Sequence, residues 1–481
     1  MSKKYLPGLL VLFVGLDLAF AFWQNYHFPL DGDLVAIVLP APWYTQVLHD
    51  PFGWAVLTKN EVYGGTNRFF AHAAMGLYWK QVPRLLHYFT NPINSLYVAS
   101  ALFTTATQAL ILFTLAAAVR LGPAGRPGRA GFWVAAALMA PLFQTAGFYG
   151  QMGVTDRAVT YTFFYAFPMA LLLLLLYPFH RAACQRRALR LPPLSVALLV
   201  LLMVAVAFNG PIATAAVGVL LLGIGARWAW GRWTRRRPGA EAAAGAEWLS
   251  GQALGLLAVL AALCLYSLYI GRNNSENSHD HTLGQLYRLL PVGVYQQLFH
   301  QPGLPILLVM LLVNARLVRR LAAPSAERQR VLNTLRWVGL FAVVYLALLP
   351  LGGYRSYRPY LLRNDSILPV VLGLIFAYGQ SAYFLLSQLR GPARRVYLGA
   401  VLLVAAAFTL VDKASPLPSD NGCERWALDQ LARSPAPVVH LSPSCNVLSW
   451  GPVADYHQSE VPAEMLRYWG VTDRKKRYYQ Q

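Results

Sequence analysis

Eleven apolar stretches recur along the chain, near residues 6–25, 94–118, 131–150, 159–178, 193–208, 210–226, 247–270, 303–318, 337–352, 367–388 and 396–412. A helix needs about twenty mostly apolar residues to cross the hydrocarbon of a bilayer, because every backbone N–H and C=O must be bonded within the segment. Read as one helix, Leu194 to Ala226 would be 33 residues and roughly 50 Å long, too much for a single span. Asn209-Gly210-Pro211 stands in its middle, a breaker followed by a residue suited to a helix start. The pattern therefore predicts an all-α polytopic membrane protein with about eleven transmembrane helices.

Composition agrees with that pattern and narrows the function classes. The 481 residues are 56% apolar and 13% charged, with a mean hydropathy of +0.41. So little charge cannot solvate a globule of this size, which excludes a soluble enzyme, a disordered chain and a disulfide scaffold. The net charge of +21 would suggest nucleic acid in a soluble protein, but here its position matters more. With eleven spans and the amino terminus inside, the segments on the cytoplasmic side hold 23 of the 41 basic residues and only Glu241, Glu247 and Glu327 as acids. That is the asymmetry of the positive-inside rule. The carboxyl terminus then lies outside, a bilayer is the obligatory partner, and no nucleic-acid partner is expected. Lys3-Lys4 before the first apolar run resembles a secretory signal, but Phe22-Trp23-Gln24-Asn25 offers no small-residue cleavage site, so the first segment is expected to be a retained span.

Cytoplasmic loops are short and Arg-rich, whereas the outer segments carry the polar mass. Residues 1–412 are expected to form the membrane domain, with 26–93 as a large first outer loop containing membrane-parallel helices. Residues 413–481 are expected to form a small extracytoplasmic tail domain. Chemistry or recognition is expected on this side.

In the first loop, Asp31-Gly32-Asp33 follows the first span closely. Two carboxylates around a Gly can ligate a hard divalent cation such as Mg or Mn, or one can act as base while the other orients it; the plainer alternative is a turn signal. Further on, residues 67–79 are aromatic and amphipathic, suiting a helix in the headgroup plane, with Arg68 and His72 one turn apart on one face. Between the ninth and tenth spans, Tyr354, Arg355, Tyr357, Arg358, Arg363 and Asp365 fall within twelve residues. Arg is disfavoured there by topology and binds phosphate bidentately, so a lipid phosphate at headgroup level is the expected partner. The alternative is an ion-pair network with Asp365, Asp31 or Asp33.

Weaker signals are Asp156-Arg157 at the start of the fourth span, Asp17 inside the first span, and His279-Asp280-His281 in a polar loop. Each has a plain structural explanation: a helix-start carboxylate beside a snorkelling Arg, a paired intramembrane acid, and a solvated loop. Of the four cysteines, Cys184 and Cys264 read as inert thiols. Cys423 and Cys445 would form a disulfide if the outer side is oxidising. The tail, with Trp426, Trp450 and Trp469, is expected to be partly folded, and Arg474-Lys475-Lys476-Arg477 to be a solvated basic patch. No P-loop, dinucleotide glycine pattern, zinc-finger spacing, G-x-S-x-G or internal repeat is present.

The order of these features resembles the GT-C class of membrane glycosyltransferases, which use polyprenyl-phosphate-linked sugars: an inside amino terminus, one span, a long first outer loop with acids, then Arg-bearing outer loops. The resemblance covers the architecture of most of the chain and points to a bacterial envelope branch in the cytoplasmic membrane. It implies that Asp31 or Asp33 is the general base or holds a divalent metal, and that Arg355, Arg358 and Arg363 clamp the carrier phosphate. The implied reaction is an inverting transfer to a glycan, lipid or protein acceptor. The sequence departs from familiar members in lacking W-W-D-Y-G and in its small carboxyl-terminal domain. A polysaccharide polymerase, ligase or flippase would share lipid-phosphate binding. A transporter or scaffold would instead need a polar path through Asp17, Gln144 and Asn209.

Overall fold

The computed structural model describes residues 5–121, 129–235, 248–278, 280–354, 358, 360–417 and 420–480. Helix α1 (Leu6–Tyr26) leads into four helices that fill the first long interval: α2 (Gly32–Val38), α3 (Pro42–His49), α4 (Trp54–Lys59) and α5 (Phe69–Leu86). Then come α6 (Pro92–Arg120), α7 (Arg129–Met139) and the short α8 (Tyr149–Met152). α9 (Val159–Tyr161) and α10 (Phe167–Gln185) run on as one helix through a π-helical turn at Thr162–Ala166. α11 (Pro193–Ala207), α12 (Pro211–Arg235), α13 (Gly251–Gly271), α14 (Leu283–Phe299), α15 (Gly303–Leu321), α16 (Ala326–Leu348), α17 (Leu368–Gln388) and α18 (Gly391–Ala414) complete the membrane domain.

Among the described residues, eight helices are long and apolar enough to cross a membrane: α1, α6, α9 with α10, α12, α13, α16, α17 and α18. The chain is a mostly helical, polytopic membrane protein. Three of the eleven stretches do not reach that length and apolarity. α7 and α11 are shorter apolar helices, and α15 carries Asn314, Arg316, Arg319 and Arg320 within its 19 residues. The four helices of the first loop are likewise not among the candidates for crossing.

Local chemistry places the helix ends. Asn91 caps α6 by accepting from the Asn94 amide, Ser250 caps α13, and Thr282 with Gln285 forms a reciprocal capping box on α14. α11 stops at Ala207 and α12 starts at Pro211; between them Gly210 sits at φ +123°, which a side chain rarely tolerates. α1 packs on α6 and α7, α15 and α16 pack on α17, and α13 packs on α11 and α12. α17 is buried on nearly every side, from Leu368 to Leu385, so it is the central helix of its half.

The carboxyl-terminal segment is folded. It consists of α19 (Gly422–Arg433), β1 (Val438–His440), α20 (Glu460–Tyr468) and β2 (Arg477–Tyr479), with β1 and β2 paired in parallel. Leu428, Leu431, Val447, Leu466, Trp469 and Tyr478 are all buried in its core. Cys423 and Cys445 are joined by a disulfide. Among the contacts that fasten this domain to the first loop, the Trp469 indole donates to the Trp79 carbonyl at 2.9 Å, and Glu424 accepts from the Leu30 amide at 2.9 Å.

Candidate functional site

Asp31 and Asp33 lie at the start of α2 but do different things. Asp31 is the helix cap: its Oδ1 accepts from the amides of Asp33 at 3.2 Å and Leu34 at 3.0 Å. The same carboxylate accepts from the Thr160 hydroxyl at 2.7 Å and the Thr160 amide at 3.1 Å, tying α2 to the start of α9. Burial pushes its carboxyl up to about 6, against the Thr160 bonds, which favour the charged form. With its lone pairs committed and 4% exposure, Asp31 holds the loop rather than reaching a substrate.

Asp33 is only partly buried. Its Oδ1 accepts from the Trp450 indole of the carboxyl-terminal domain at 3.1 Å, and the Tyr161 hydroxyl donates to the same carboxylate. Burial raises its pKa; those two donors lower it and the nearby Glu276 carboxylate raises it again. Glu276 comes from the loop after α13 and accepts from the Tyr44 hydroxyl at 3.0 Å and from Arg68 at 3.3 Å. The backbone around it is stitched to the first loop, since Asn274 accepts from the Gly65 and Glu276 amides, both at 3.1 Å.

Arg68 and His72 share a face of α5 and both belong to this cluster. Arg68 pairs with Glu276 and lies over the Phe164 ring. His72 is enclosed between the Tyr44 and Phe164 rings. Its Nδ1 lies 3.0 Å from the Arg68 carbonyl, so that nitrogen carries the hydrogen and donates. Burial holds the ring neutral, with its pKa lowered to about 4. Its Nε2 is then a buried acceptor with no hydrogen-bond partner.

The loop between α16 and α17 approaches from the other side. Arg358 pairs with Asp365 at 2.7 Å and donates to the Tyr165 hydroxyl at 3.0 Å. Arg363 pairs with the same Asp365 oxygen and lies 4.9 Å from the centre of the Tyr161 ring. Burial works to raise the Asp365 pKa, but the two guanidinium groups win and hold it below the usual range. Arg363 also interacts with Asp156, whose own pKa burial raises. Asp156 accepts from the Tyr149 hydroxyl. Arg157 donates to the carbonyls of Thr145 and Ala146 and stacks on Tyr149.

Tyr161 therefore joins the two halves: its hydroxyl meets Asp33, its ring faces Arg363, and it stacks on Trp450 with ring centres 5.8 Å apart. Four carboxylates (Asp33, Glu276, Asp156, Asp365) alternate here with four guanidinium groups (Arg68, Arg157, Arg358, Arg363). The trio Arg358, Arg363 and Asp365 carries one net positive charge, offset by Asp156 beside Arg363 when that carboxyl, whose pKa burial raises, is ionised. A carboxylate with a raised pKa beside such a trio can take a proton from a hydroxyl while an anionic leaving group is held nearby.

Several sequence-derived candidates lie elsewhere. Tyr354 packs with Leu286 and Leu361, its ring against His281. Arg355, Tyr357 and His279 lie outside the described residues. Asp280 accepts from the Ser278 hydroxyl in its own turn. Gln144 braces backbone groups at Pro141, Phe148 and Phe408 rather than lining a path. Among the described residues no group of three or more His, Cys, Asp or Glu could hold a metal, and the four bonds on Asp31 set it apart from a joint metal site with Asp33.

Sequence reasoning missed Glu276, Tyr44, Tyr161, Tyr165 and Trp450. The polar run Asn273-Asn274-Ser275-Glu276-Asn277, interrupting an apolar pattern, is the one signal that pointed to Glu276. No protein-family model and no curated protein matches this chain.

Proposed function

We propose that the protein is a GT-C-like glycosyltransferase that moves a sugar from a polyprenyl-phosphate carrier to a hydroxyl acceptor at the outer face of a bacterial cytoplasmic membrane. The observation that carries this reading is the meeting of Asp33 and Arg363 on Tyr161: a base and a phosphate-binding group, from distant parts of the chain, flank one aromatic wall. Orientation rests on the charge asymmetry, with eleven segments in the membrane, α7, α11 and α15 included. The first loop and the disulfide-bearing domain then face outward.

In this reading Asp33 takes the proton of the acceptor hydroxyl as its oxygen forms the new bond to the anomeric carbon. The bond from that carbon to the carrier phosphate oxygen breaks, and the electron pair leaves on the phosphate. Arg358 and Arg363, with Asp365 fixing their planes, stabilise that charge. Asp31 positions Asp33 by holding the first turn of α2. A single displacement inverts the anomeric configuration. A divalent cation would have to be completed by substrate oxygens, since among the described residues no group of three or more His, Cys, Asp or Glu could hold one.

The test is a lipid-linked-sugar and envelope-glycan profile of a deletion strain complemented with wild type, Asp33→Asn or Arg363→Ala. Accumulation of one lipid-linked sugar in the deletion and both variants is expected. A profile unchanged by deletion would remove the enzyme reading. Accumulation of a lipid-linked oligomer instead would favour the polymerase or flippase alternative.

A further inference from the structure

A cavity that shares no residue with the Asp33 cluster lies among α6, α10, α12, α16 and α17, with a volume of about 670 Å³. Its long wall is apolar, with Leu172, Leu176, Leu220 and Phe341 among the lining side chains. Charge appears at one end only: Arg186 just past α10, Arg227 late in α12 and Arg330 early in α16. No Asp or Glu is among the described residues that line it. Arg330 donates to the Cys184 carbonyl through Nη2, while its Nη1 is buried and has no hydrogen-bond partner.

These features select a ligand class. A buried N–H of a guanidinium beside two further Arg and no carboxylate calls for an anion. A mostly apolar wall running from Met169 to Ala183 along α10, about 21 Å at helical rise, calls for a hydrocarbon chain. The volume lies within the range of small-ligand sites. Basic pockets between transmembrane helices on the Arg-rich side are where lipid phosphates are held.

We infer that this cavity binds a lipid with a phosphate headgroup, the phosphate on Arg186, Arg227 and Arg330 and the chain along α10 and α16. The inference does not rest on the glycosyltransferase reading. A membrane phospholipid and an isoprenoid phosphate share this chemistry, and the wall is longer than the roughly 15 Å of one leaflet.

The test is native mass spectrometry of the full-length protein in mild detergent, titrated separately with phosphatidylglycerol, undecaprenyl phosphate, diacylglycerol and undecaprenol. The expected result on wild type is retention of one or both phosphate lipids more than about tenfold above the neutral lipid of matching chain. Which phosphate lipid is retained identifies the source. The variant R186Q/R227Q/R330Q should lose that preference, whereas R320Q/R394Q/R395Q, with the same charge change elsewhere on the Arg-rich side, should keep it. Equal retention of phosphate and neutral lipids by wild type would overturn the proposal, with no variant needed. So would a preference lost equally in both triple variants.

Discussion

Glu424 gives the sharpest physical test of how the carboxyl-terminal domain is fastened. It is 1% exposed and accepts from the Leu30 amide, the Tyr97 hydroxyl and the Leu448 amide at 2.9, 2.9 and 3.1 Å. Burial nevertheless wins over these donors and pushes its carboxyl up to about 7 from the ordinary 4.5. A raised acid binds its proton more tightly in the folded state, so its contribution is complete below pH 4.5 and is lost as pH rises through about 7. The displacement corresponds to on the order of 3 kcal/mol. Glu424→Gln removes the titration but leaves one of the three donors facing an amide nitrogen, which costs about 1 kcal/mol. The opening free energy of the Leu30 and Leu448 amides, from hydrogen exchange corrected for intrinsic rates, should therefore cross: wild type more stable near pH 4, the Glu424→Gln variant more stable near pH 8. Asp31, raised in the same direction, titrates in both proteins and does not create a crossing. Parallel curves would refute the assignment of the pH dependence to Glu424.

Five further outcomes follow from the geometry. Asp33→Asn should lower transfer by roughly 10²–10⁴-fold with the fold intact, whereas Asp31→Asn should chiefly lower thermal stability, by about 1–3 kcal/mol, because Thr160 would face an amide nitrogen. Gly32→Ala should disturb Asp33 without touching its side chain: a Cβ there would lie 2.6 Å from the Trp450 amide, and quenching of Trp450 fluorescence by an engineered neighbour would report the shift. Arg363→Lys should raise the KM for the lipid-linked donor, since a point charge cannot replace a planar fork shared with Asp365; an unchanged KM would place the carrier phosphate elsewhere. Reduction of Cys423–Cys445 should speed proteolysis of residues 420–480 while leaving the membrane helices protected.

Much of the helical scheme is legible from apolar run length, because hydrocarbon admits few alternatives to a helix. The break at Asn209-Gly210-Pro211 is equally legible, since Gly and Pro act locally. The site is another matter. Asp31 and Asp33 are visible as a pair, but their separation into a cap and a reachable carboxylate depends on Thr160, 129 residues away. Arg358 and Arg363 stand out by topology, yet their shared partner Asp365 decides their geometry. Tyr161 and Trp450 carry no local pattern that marks them, and Glu276 shows only as one member of a polar run. Their roles come from tertiary packing, which one sequence does not encode at short range.

The Trp450–Asp33 contact spans 417 positions of the chain, and that distance sets an order of events during biogenesis. A ribosome feeding this protein into the membrane delivers Asp33 early, Tyr161 and Glu276 next, and Trp450 among the last residues made. Until the final segment has been made, the cluster lacks one wall and one donor. On the glycosyltransferase reading proposed above, a chain arrested before Trp450 would therefore have no transfer activity.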